Sequence, residues 1–325
     1  MSNNEKLSVV MSAYNEPENF LRESIESILN QTHRDFEFII IQDKPDNEVI
    51  ERVVQEYAAK DKRIRFFKNE KNMGLALSLN RGIELARYDI IARMDADDIA
   101  LPQLLEKDLA YLNAHPDMHL VSPKIIKIDE NGRQIRKSDK RPHTFPQVKR
   151  VLKTENIISH PGAMFYKKDV VELGGYRNFP ATQDKDLWLR FVSKDWGIGF
   201  VQEVLLKYRL TSHNTSMGNS LRQLACSRYI DQLFEERKKY GKDSFSEEAL
   251  AKYLDDMGCN DPQSKAAFNR GHDLIFQAGT AFRQFRFLKV IRLLKEAYSC
   301  HPQMKPYTRF IMKVAIRKRI RNIIY

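Results

Sequence analysis

Three aspartates lie within four residues of one another at the end of a short apolar run, in residues 90–98. Asp95, Asp97 and Asp98 would repel one another unless a cation or another partner compensates their charge. Because hard divalent cations prefer carboxylate oxygens as ligands, this group could hold a metal ion. The same residues are compatible with a solvated acidic turn before a helix that Asp97 or Asp98 caps. These nine residues alone leave both interpretations open.

The N-terminal hundred residues predict an alternation of strands and helices that leads to this acidic group. Apolar runs predict buried strands, and apolar residues at helical spacing separate them. The predicted strands are residues 7–12, 36–41, 64–67 and 90–94, and the predicted helices are residues 20–29, 49–59 and 75–86. Such alternation is typical of a mostly parallel sheet with helices on both faces. Ligands bind beyond the carboxyl ends of these strands, where Tyr14, Asn15, Asp43 and the three aspartates fall.

Composition narrows the function classes. A net charge of +11 indicates a polyanionic partner, which could be nucleic acid, anionic lipid or a phosphorylated substrate. Three widely spaced cysteines, Cys226, Cys259 and Cys300, suggest a reducing compartment and have no metal-binding spacing. The glycine-rich dinucleotide fingerprint and the phosphate-binding P-loop are absent, so the usual dinucleotide and NTPase sites are excluded. A nucleotidyltransferase would want a basic, glycine-rich loop where residues 14–17 read Tyr-Asn-Glu-Pro.

Four segments, taken in order, resemble family 2 glycosyltransferases with the GT-A fold. They are residues 12–16 (Ser-Ala-Tyr-Asn-Glu), residues 24–32, residues 72–75 (Asn-Met-Gly-Leu) and residues 94–98 (Met-Asp-Ala-Asp-Asp). The match spans about residues 6–215. The resemblance implies an α/β GT-A domain and an inverting enzyme that transfers a single sugar from a UDP-sugar.

The resemblance also implies a donor site. Tyr14 would stack on the base, and Asp43 would accept the imide hydrogen of uracil. The implied nucleotide-sugar-binding residues are Ser12, Tyr14, Glu16, Asp43, Asn72, Arg93, Asp95, Ala96 and Asp97. The metal, Mn²⁺ or Mg²⁺, would lie at Asp97, with Asp98 a further candidate. One departure is clear, because the family usually has two acidic residues followed by Gly-Ser where this chain has Gln42-Asp43-Lys44-Pro45.

On the acceptor side, Asp184 is the candidate catalytic base. Taken alone, it predicts an N-cap, because the apolar helical face of Leu187, Trp188 and Phe191 follows it. The resemblance instead implies that Asp184 deprotonates the acceptor hydroxyl, and a base of this kind is what inverting transfer needs. Asp186, two residues further along, is the other aspartate of this segment and is expected to have a structural role.

Several further polar residues have two interpretations. Arg190 would pair with acidic neighbours or with the diphosphate. The resemblance places residues 208–213 near the diphosphate, which makes Arg209 a binding candidate and His213 a metal or phosphate ligand, unless His213 is a surface loop residue. His160 is predicted to be a core histidine bonded to the backbone.

The chain divides into a predicted GT-A domain, residues 1–220, and a helical extension, residues 221–325. The domain's donor half would be about residues 1–100 and its acceptor half about residues 101–220. Residues 302–325 contain no acidic residue, and seven Lys or Arg residues alternate with apolar ones at helical spacing. A basic amphipathic helix of this kind can lie on an anionic membrane or pack on the protein, and residues 303–325 are predicted to contact the membrane.

We therefore expect an enzyme of cell-surface polysaccharide biosynthesis (O-antigen, capsule or lipopolysaccharide). Its acceptor would be a saccharide, lipid-linked through a polyprenyl diphosphate, and the new linkage would be β. Without a signal peptide or a membrane span in the sequence, the expected location is cytoplasmic and peripheral at the inner face of the membrane. A nucleic-acid-binding protein is the alternative from another class. No nucleic acid is expected, because the basic residues cluster at the C-terminus and the sheet edge is acidic.

Overall fold

The computed structural model describes residues 5–136, 141–211 and 220–324. The chain forms two compact units. The first, called here the sheet unit, comprises residues up to 178 together with 183–211. The second, the helical unit, comprises residues 179–182 and those after 211.

The first half of the sheet unit has the predicted alternation of strands and helices. Four parallel strands lie in the spatial order β3-β2-β1-β4. They are β1 (Leu7–Ala13), β2 (Phe36–Gln42), β3 (Ile64–Lys68) and β4 (Ile90–Asp95), and the helices between them are α1 (Glu18–Leu29), α2 (Glu48–Lys60) and α3 (Leu75–Leu85). The strands and helices predicted for residues 7–94 are therefore confirmed.

Strand β1 is buried on both faces, which explains why five of its seven residues are apolar. Val9 and Met11 belong to the core that α1 and α2 cover. Val10 faces α3, where a Cβ on Gly82 would lie 2.4 Å from the Val10 Cγ1 atom. Glycine at position 82 therefore lets α3 pack closely on the sheet.

The second half of the sheet unit is mixed. It contains β5 (Ile99–Ala100), α4 (Leu104–Ala114), β6 (Met118–Ile128), β7 (Gln134–Arg136), α5 (Phe145–Leu152), β8 (Met164–Tyr166), α6 (Lys167–Glu172), α7 (Gln183–Ser193) and β9 (Gly197–Arg209). Strand β8 is antiparallel to β4 and β6, β9 is parallel to β6, and β5 and β7 are antiparallel edge strands. Among the residues described, nine strands thus form one sheet.

Two local predictions in this half had different outcomes. The Asn131-Gly132 dipeptide predicts a tight turn within a hairpin, and the β6–β7 pair confirms it, with Gly132 at φ 77°. The apolar sequence of residues 157–165 predicts a strand, and this prediction is wrong for all but the last two residues, because β8 begins at Met164. Pro161 lacks a backbone N–H, and Gly162 adopts φ 81°, so this apolar run is a loop.

The helical unit contains α8 (Ser220–Tyr240), α9 (Glu247–Asp256), α10 (Pro262–Arg283), α11 (Phe287–Cys300) and α12 (Met304–Ile324). The sequence predicts helices at residues 224–240, 247–257, 264–278 and 282–298, with a turn at Gly279 between the last two, and the helices are confirmed with shifted ends. One expected turn is wrong, because Gly279 lies inside α10. In the parts of the chain described above, no helix combines the length and the apolar character needed to cross a bilayer.

Candidate active site

The carboxyl ends of three adjacent strands meet at one edge of the sheet. Ser12 of β1 is in register with Ile41 of β2 on one side and with Asp95 of β4 on the other. The convergence expected from the sequence is therefore confirmed. Just beyond β1, Tyr14 is 45% exposed, and the Lys44 Nζ atom lies 6.0 Å from the centre of its ring. An aromatic face is thus available to a planar ligand at this edge.

Helix α1 holds the segment that follows β4. The Ser24 hydroxyl donates to the Asp95 carbonyl oxygen (2.7 Å), and the Ser27 hydroxyl accepts from the Ala100 N–H (3.1 Å). The buried Gln31 side chain donates to the Leu101 carbonyl (2.8 Å) and accepts from the Leu105 N–H (3.0 Å). The polar residues of the 24–32 segment therefore fix the backbone on both sides of the acidic group.

The three aspartates form a compact carboxylate cluster. Asp95, Asp97 and Asp98 each offer an oxygen, and these three atoms lie within 4.8 Å of one another. The alternative of a helix capped at Asp97 or Asp98 is wrong. The chain enters the short strand β5 after Asp98, and α4 begins only at Leu104.

Electrostatics within the cluster favours proton or cation binding. Burial, followed by the charges of Asp95 and Glu16, raises the pKa of Asp97 to about 7. Burial and the charges of Asp95 and Asp97 raise the pKa of Asp98 well above its usual range. The Asp98 Oδ2 atom is buried and has no hydrogen-bond donor within the described ranges. A set of close oxygen acceptors with too few donors fits a hard divalent cation.

Two buried arginines, Arg93 and Arg209, contact the three aspartates of this cluster. Arg93 in β4 is 2% exposed and forms an ion pair with Asp95. Arg209 at the end of β9 forms an ion pair with Glu23 and donates from Nε to the Asp97 carbonyl (2.9 Å). Its backbone N–H donates to the Asp98 Oδ1 atom (2.7 Å). Arg93 therefore offsets part of the charge of the acidic turn, and Arg209 positions the turn through its hydrogen bonds.

Asp43 holds the glycine turn at residues 72–74. Its buried carboxylate accepts from the Asn69 side chain (2.7 Å), the Met73 N–H (2.8 Å) and the Gly74 N–H (2.9 Å). The Asn72 Oδ1 atom accepts from the same Gly74 N–H (3.0 Å), and Gly74 adopts φ 83°. Asp43 thus has a positioning role that the sequence did not indicate, and its contact with a base stays a prediction.

Asp184 lies in the first turn of α7 and not at its N-cap. The helix begins at Gln183, after Thr182 with its left-handed φ of 59°, so the predicted cap is displaced. The half-buried Asp184 carboxylate accepts from the Asn156 side chain (2.6 Å). Burial raises its pKa, and the charge of Arg93 opposes that rise. Arg93 therefore acts electrostatically on both the carboxylate cluster and Asp184.

The neighbours of Asp184 on α7 have structural roles. The side chain of Asp186 is fully buried and pairs with Arg190 (Nε to Oδ2, 2.9 Å). Arg190 also donates to the carbonyls of Leu173 and Gly175 (2.7 and 2.8 Å). The prediction that Arg190 pairs with an acidic neighbour is confirmed, and Asp186 is the structural residue of the two aspartates.

Two polar residues in the loop before β8, Asn156 and His160, have defined partners. His160 is buried as predicted, but its Nε2 atom contacts the Tyr176 hydroxyl (3.0 Å) and not the backbone. Burial lowers its pKa well below the usual range, so it is neutral. Asn156, the partner of Asp184, was missed because a lone asparagine in a loop follows no pattern. His213 lies outside the described residues.

The chain is similar to known proteins in its sequence and in its fold. A sequence model described as glycosyl transferase family 2 matches residues 8–174. An uncharacterised glycosyltransferase of Methanocaldococcus jannaschii is 39% identical over 72% of this chain and 81% of its own. The O-antigen biosynthesis glycosyltransferase WbnJ of Escherichia coli is 34% identical over 69% of this chain and 86% of its own.

A third relative and a solved structure extend these matches. An Escherichia coli UDP-Gal:alpha-D-GlcNAc-diphosphoundecaprenol beta-1,3-galactosyltransferase is 28% identical over 63% of this chain and 74% of its own. The crystal structure of residues 1–349 of Staphylococcus aureus TarS in complex with UDP matches with a TM-score of 0.56 at 13% identity. That match covers 92% of this chain and 91% of the TarS chain. At this identity the structural match concerns the fold alone.

Proposed function

Because the chain belongs to glycosyl transferase family 2, we propose that it transfers one sugar from a UDP-sugar to a saccharide acceptor with inversion of configuration. The observation that carries this proposal is the carboxylate cluster beyond β4, at the sheet edge that also presents Tyr14. The relative named for O-antigen biosynthesis supports a role in cell-surface polysaccharide biosynthesis.

The donor is proposed to be a UDP-sugar that lies along the strand ends. Tyr14 offers an exposed ring for the base, and Ser12, Glu16, Asn72 and Ala96 border the same edge. UDP is present in the TarS complex, and UDP-Gal is the donor in the name of one relative, which supports this choice. The Asp43 carboxylate, which also accepts hydrogen bonds from the 72–74 turn, would accept the imide hydrogen of uracil.

A divalent cation, Mn²⁺ or Mg²⁺, would be held by Asp97 together with Asp95 or Asp98. When bound, it would neutralise the charge that develops on the departing diphosphate. Glu16 and the cluster make this edge acidic, so a bare diphosphate would be repelled without a cation. The buried Arg93 and Arg209 keep the ligand oxygens in place through the contacts described above.

Asp184 is proposed to remove the proton from the acceptor hydroxyl. Its carboxylate is ordered by Asn156 and lies at the start of a helix, where it can face a bound saccharide. A raised pKa makes an aspartate a better base at neutral pH, provided that it remains ionised. The hydroxyl would attack the anomeric carbon from the face opposite the leaving UDP, which gives a β-linkage from an α-linked donor.

The acceptor is proposed to be lipid-linked, as it is in the name of the galactosyltransferase relative. Helix α12 would contact the anionic inner face of the membrane. Its side chains Lys305, Arg309, Lys313 and Arg317 are exposed and recur every four residues, so they share one side of the helix. Phe310, Met312 and Ile316 are exposed apolar side chains on the same helix.

The test is a panel of nucleotide sugars with the full chain, with Mn²⁺, Mg²⁺ or EDTA. We expect one UDP-sugar to be hydrolysed slowly, and much faster once a saccharide acceptor is added, only when metal is present. Activity that EDTA leaves unchanged would exclude a role for a divalent metal. Turnover of GDP- or TDP-sugars but not of UDP-sugars would exclude UDP-sugars as the donor. Reversing the charges of Lys305, Arg309, Lys313 and Arg317 to Glu should reduce binding to anionic vesicles.

A further inference from the structure

The turn between α10 and α11 presents a group of aromatic and aliphatic side chains to solvent. Phe285 is 80% exposed and Leu288 is 86% exposed, and four more large apolar side chains around them are more than half exposed. These four are Phe276, Phe282, Phe287 and Ile291. Contiguous exposed apolar groups of this size mark interaction surfaces. Residues 276–292 are called the hairpin tip below.

The hairpin tip has a defined shape. The Phe285 N–H donates to the Phe282 carbonyl (3.0 Å), and the Arg286 N–H donates to the Ala281 carbonyl (2.9 Å). Phe285 has a left-handed φ of 59°, which allows this close turn. The Phe287 ring is edge-on to the Phe282 and Phe285 rings, with centroid distances of 6.0 and 6.4 Å. The aromatic group is therefore held in place before any partner binds.

The two helices behind the tip are closed against each other by small and apolar residues. Ala278, Ala281, Leu293 and Ala297 are buried between them, so the apolar residues of the tip are additional to the core. These four buried residues contribute to the free energy of folding, whereas the exposed Phe285 and Leu288 contribute little to it. Such exposure of large apolar side chains is costly in water and calls for a partner.

Charge indicates what that partner is. The tip carries Arg283, Arg286, Lys289 and Arg292 among its apolar side chains, and residues 274–295 contain no Asp or Glu. All four basic side chains are exposed. Aromatic rings that protrude between cationic side chains match the interface of an anionic bilayer, where the rings enter the headgroup region and the cations meet phosphate.

We propose that the hairpin tip is a second membrane-binding surface, which inserts Phe285, Phe287 and Leu288 into an anionic lipid bilayer. It is separate from the basic face of α12. Helix α12 begins at the far end of the hairpin, where the Met304 side chain lies so close to Gly271 that a Cβ on that glycine would be 2.4 Å from the Met304 sulfur atom. Gly271 is twelve residues from Arg283 along α10, or about 18 Å. A bilayer bound at two separate points holds a protein far more strongly than either point alone.

The experiment is co-sedimentation of the full chain with vesicles in which about a third of the lipids are anionic. Phe285→Ser with Leu288→Ser should weaken vesicle binding by roughly tenfold or more, because two apolar side chains lose their burial. Tyr240→Ser is the matched control, since Tyr240 is 62% exposed on α8, outside the tip. It should leave binding unchanged. All three positions are exposed, so the thermal midpoint should not change.

A second pair of variants tests the charge. Arg283→Glu with Arg286→Glu should weaken binding to anionic vesicles, whereas Lys252→Glu, an exposed lysine on α9, should not. The proposal would be overturned if all tip variants bound anionic vesicles as strongly as the parent chain does. It would also be overturned if the parent chain bound neutral and anionic vesicles equally. Unchanged vesicle binding with loss of self-association in sedimentation velocity would assign the tip to a second copy of the chain. None of these measurements depends on catalysis, so this proposal can fail without affecting the proposed transfer reaction, and the reverse is also true.

Discussion

Replacing Asp97 with asparagine should stabilise the metal-free protein while removing its response to metal. The pKa of Asp97 in the folded chain is about 7, against an ordinary value of 3.8. The folded state therefore binds the proton more tightly than the unfolded state does. As the pH rises from about 4 to 7, that advantage is lost, and above pH 7 the ionised Asp97 destabilises the fold.

The size of this effect follows from the shift. A pKa difference of about 3 pH units corresponds to about 4 kcal/mol of unfolding free energy. Because Asp97 is partly exposed, solvent screens some of the repulsion, and about 2 kcal/mol is expected. At pH 8 in EDTA, Asp97→Asn should thus raise the thermal midpoint by roughly 4–8 °C. The gain should be smaller at pH 5.

Metal should reverse the order of the two proteins. At 100 times its dissociation constant, Mn²⁺ adds about 2.7 kcal/mol to a chain that binds it in the folded state only. The parent chain should gain this stability, and Asp97→Asn should gain little. Asp89→Asn is the control, since Asp89 is an exposed aspartate just before β4, at its opposite end. A variant less stable than the parent at pH 8 in EDTA, or an equal gain from Mn²⁺ in both, would refute the reasoning.

Three further predictions concern the base, the donor and the core. Burial raises the pKa of Asp184 above its ordinary value of 3.8, so kcat/KM should decrease as the pH is lowered, beginning above pH 3.8. A kcat/KM that is constant down to pH 4 would argue against a base that titrates. Tyr14→Ala should weaken UDP binding about tenfold in calorimetry, and Tyr14→Phe should bind normally because the ring supplies the stacking; equal affinities would remove that contact. Arg190→Met should cost about 3 kcal/mol in urea unfolding, because it leaves Asp186 buried with less compensation, whereas the exposed Lys194→Met should be neutral.

The parallel half of the fold could be predicted because three of its four strands, β1, β2 and β4, are buried on both faces. Such strands have mostly apolar sequences, and their ends place Ser12, Tyr14 and Asp95 at one edge. The apolar run at residues 157–165 misled for the same reason. There the apolar residues fill the interior from a loop, whose Gly162 N–H donates to the Arg93 carbonyl (2.8 Å).

The contacts that shape the site could not be predicted, because they join residues far apart in sequence. The Ser24 hydroxyl meets a carbonyl 71 residues away, and Asn156 meets Asp184 across 28 residues. Strand β5 is two residues long, too short for any periodicity, so the turn before it resembled a helix cap. The resemblance to a known family identified the 24–32 segment, but only the structure gives Gln31 its two backbone partners.

The most direct test of the central claim compares the parent chain with Asp184→Asn in the presence of Mn²⁺, a UDP-sugar that the parent chain uses, and its acceptor. The isosteric asparagine keeps the shape of the site and removes the base. We predict that UDP binding is unchanged and that kcat falls at least about 100-fold, the minimum that general base catalysis contributes. Turnover close to that of the parent chain would contradict the assignment of Asp184 and the inverting mechanism built on it.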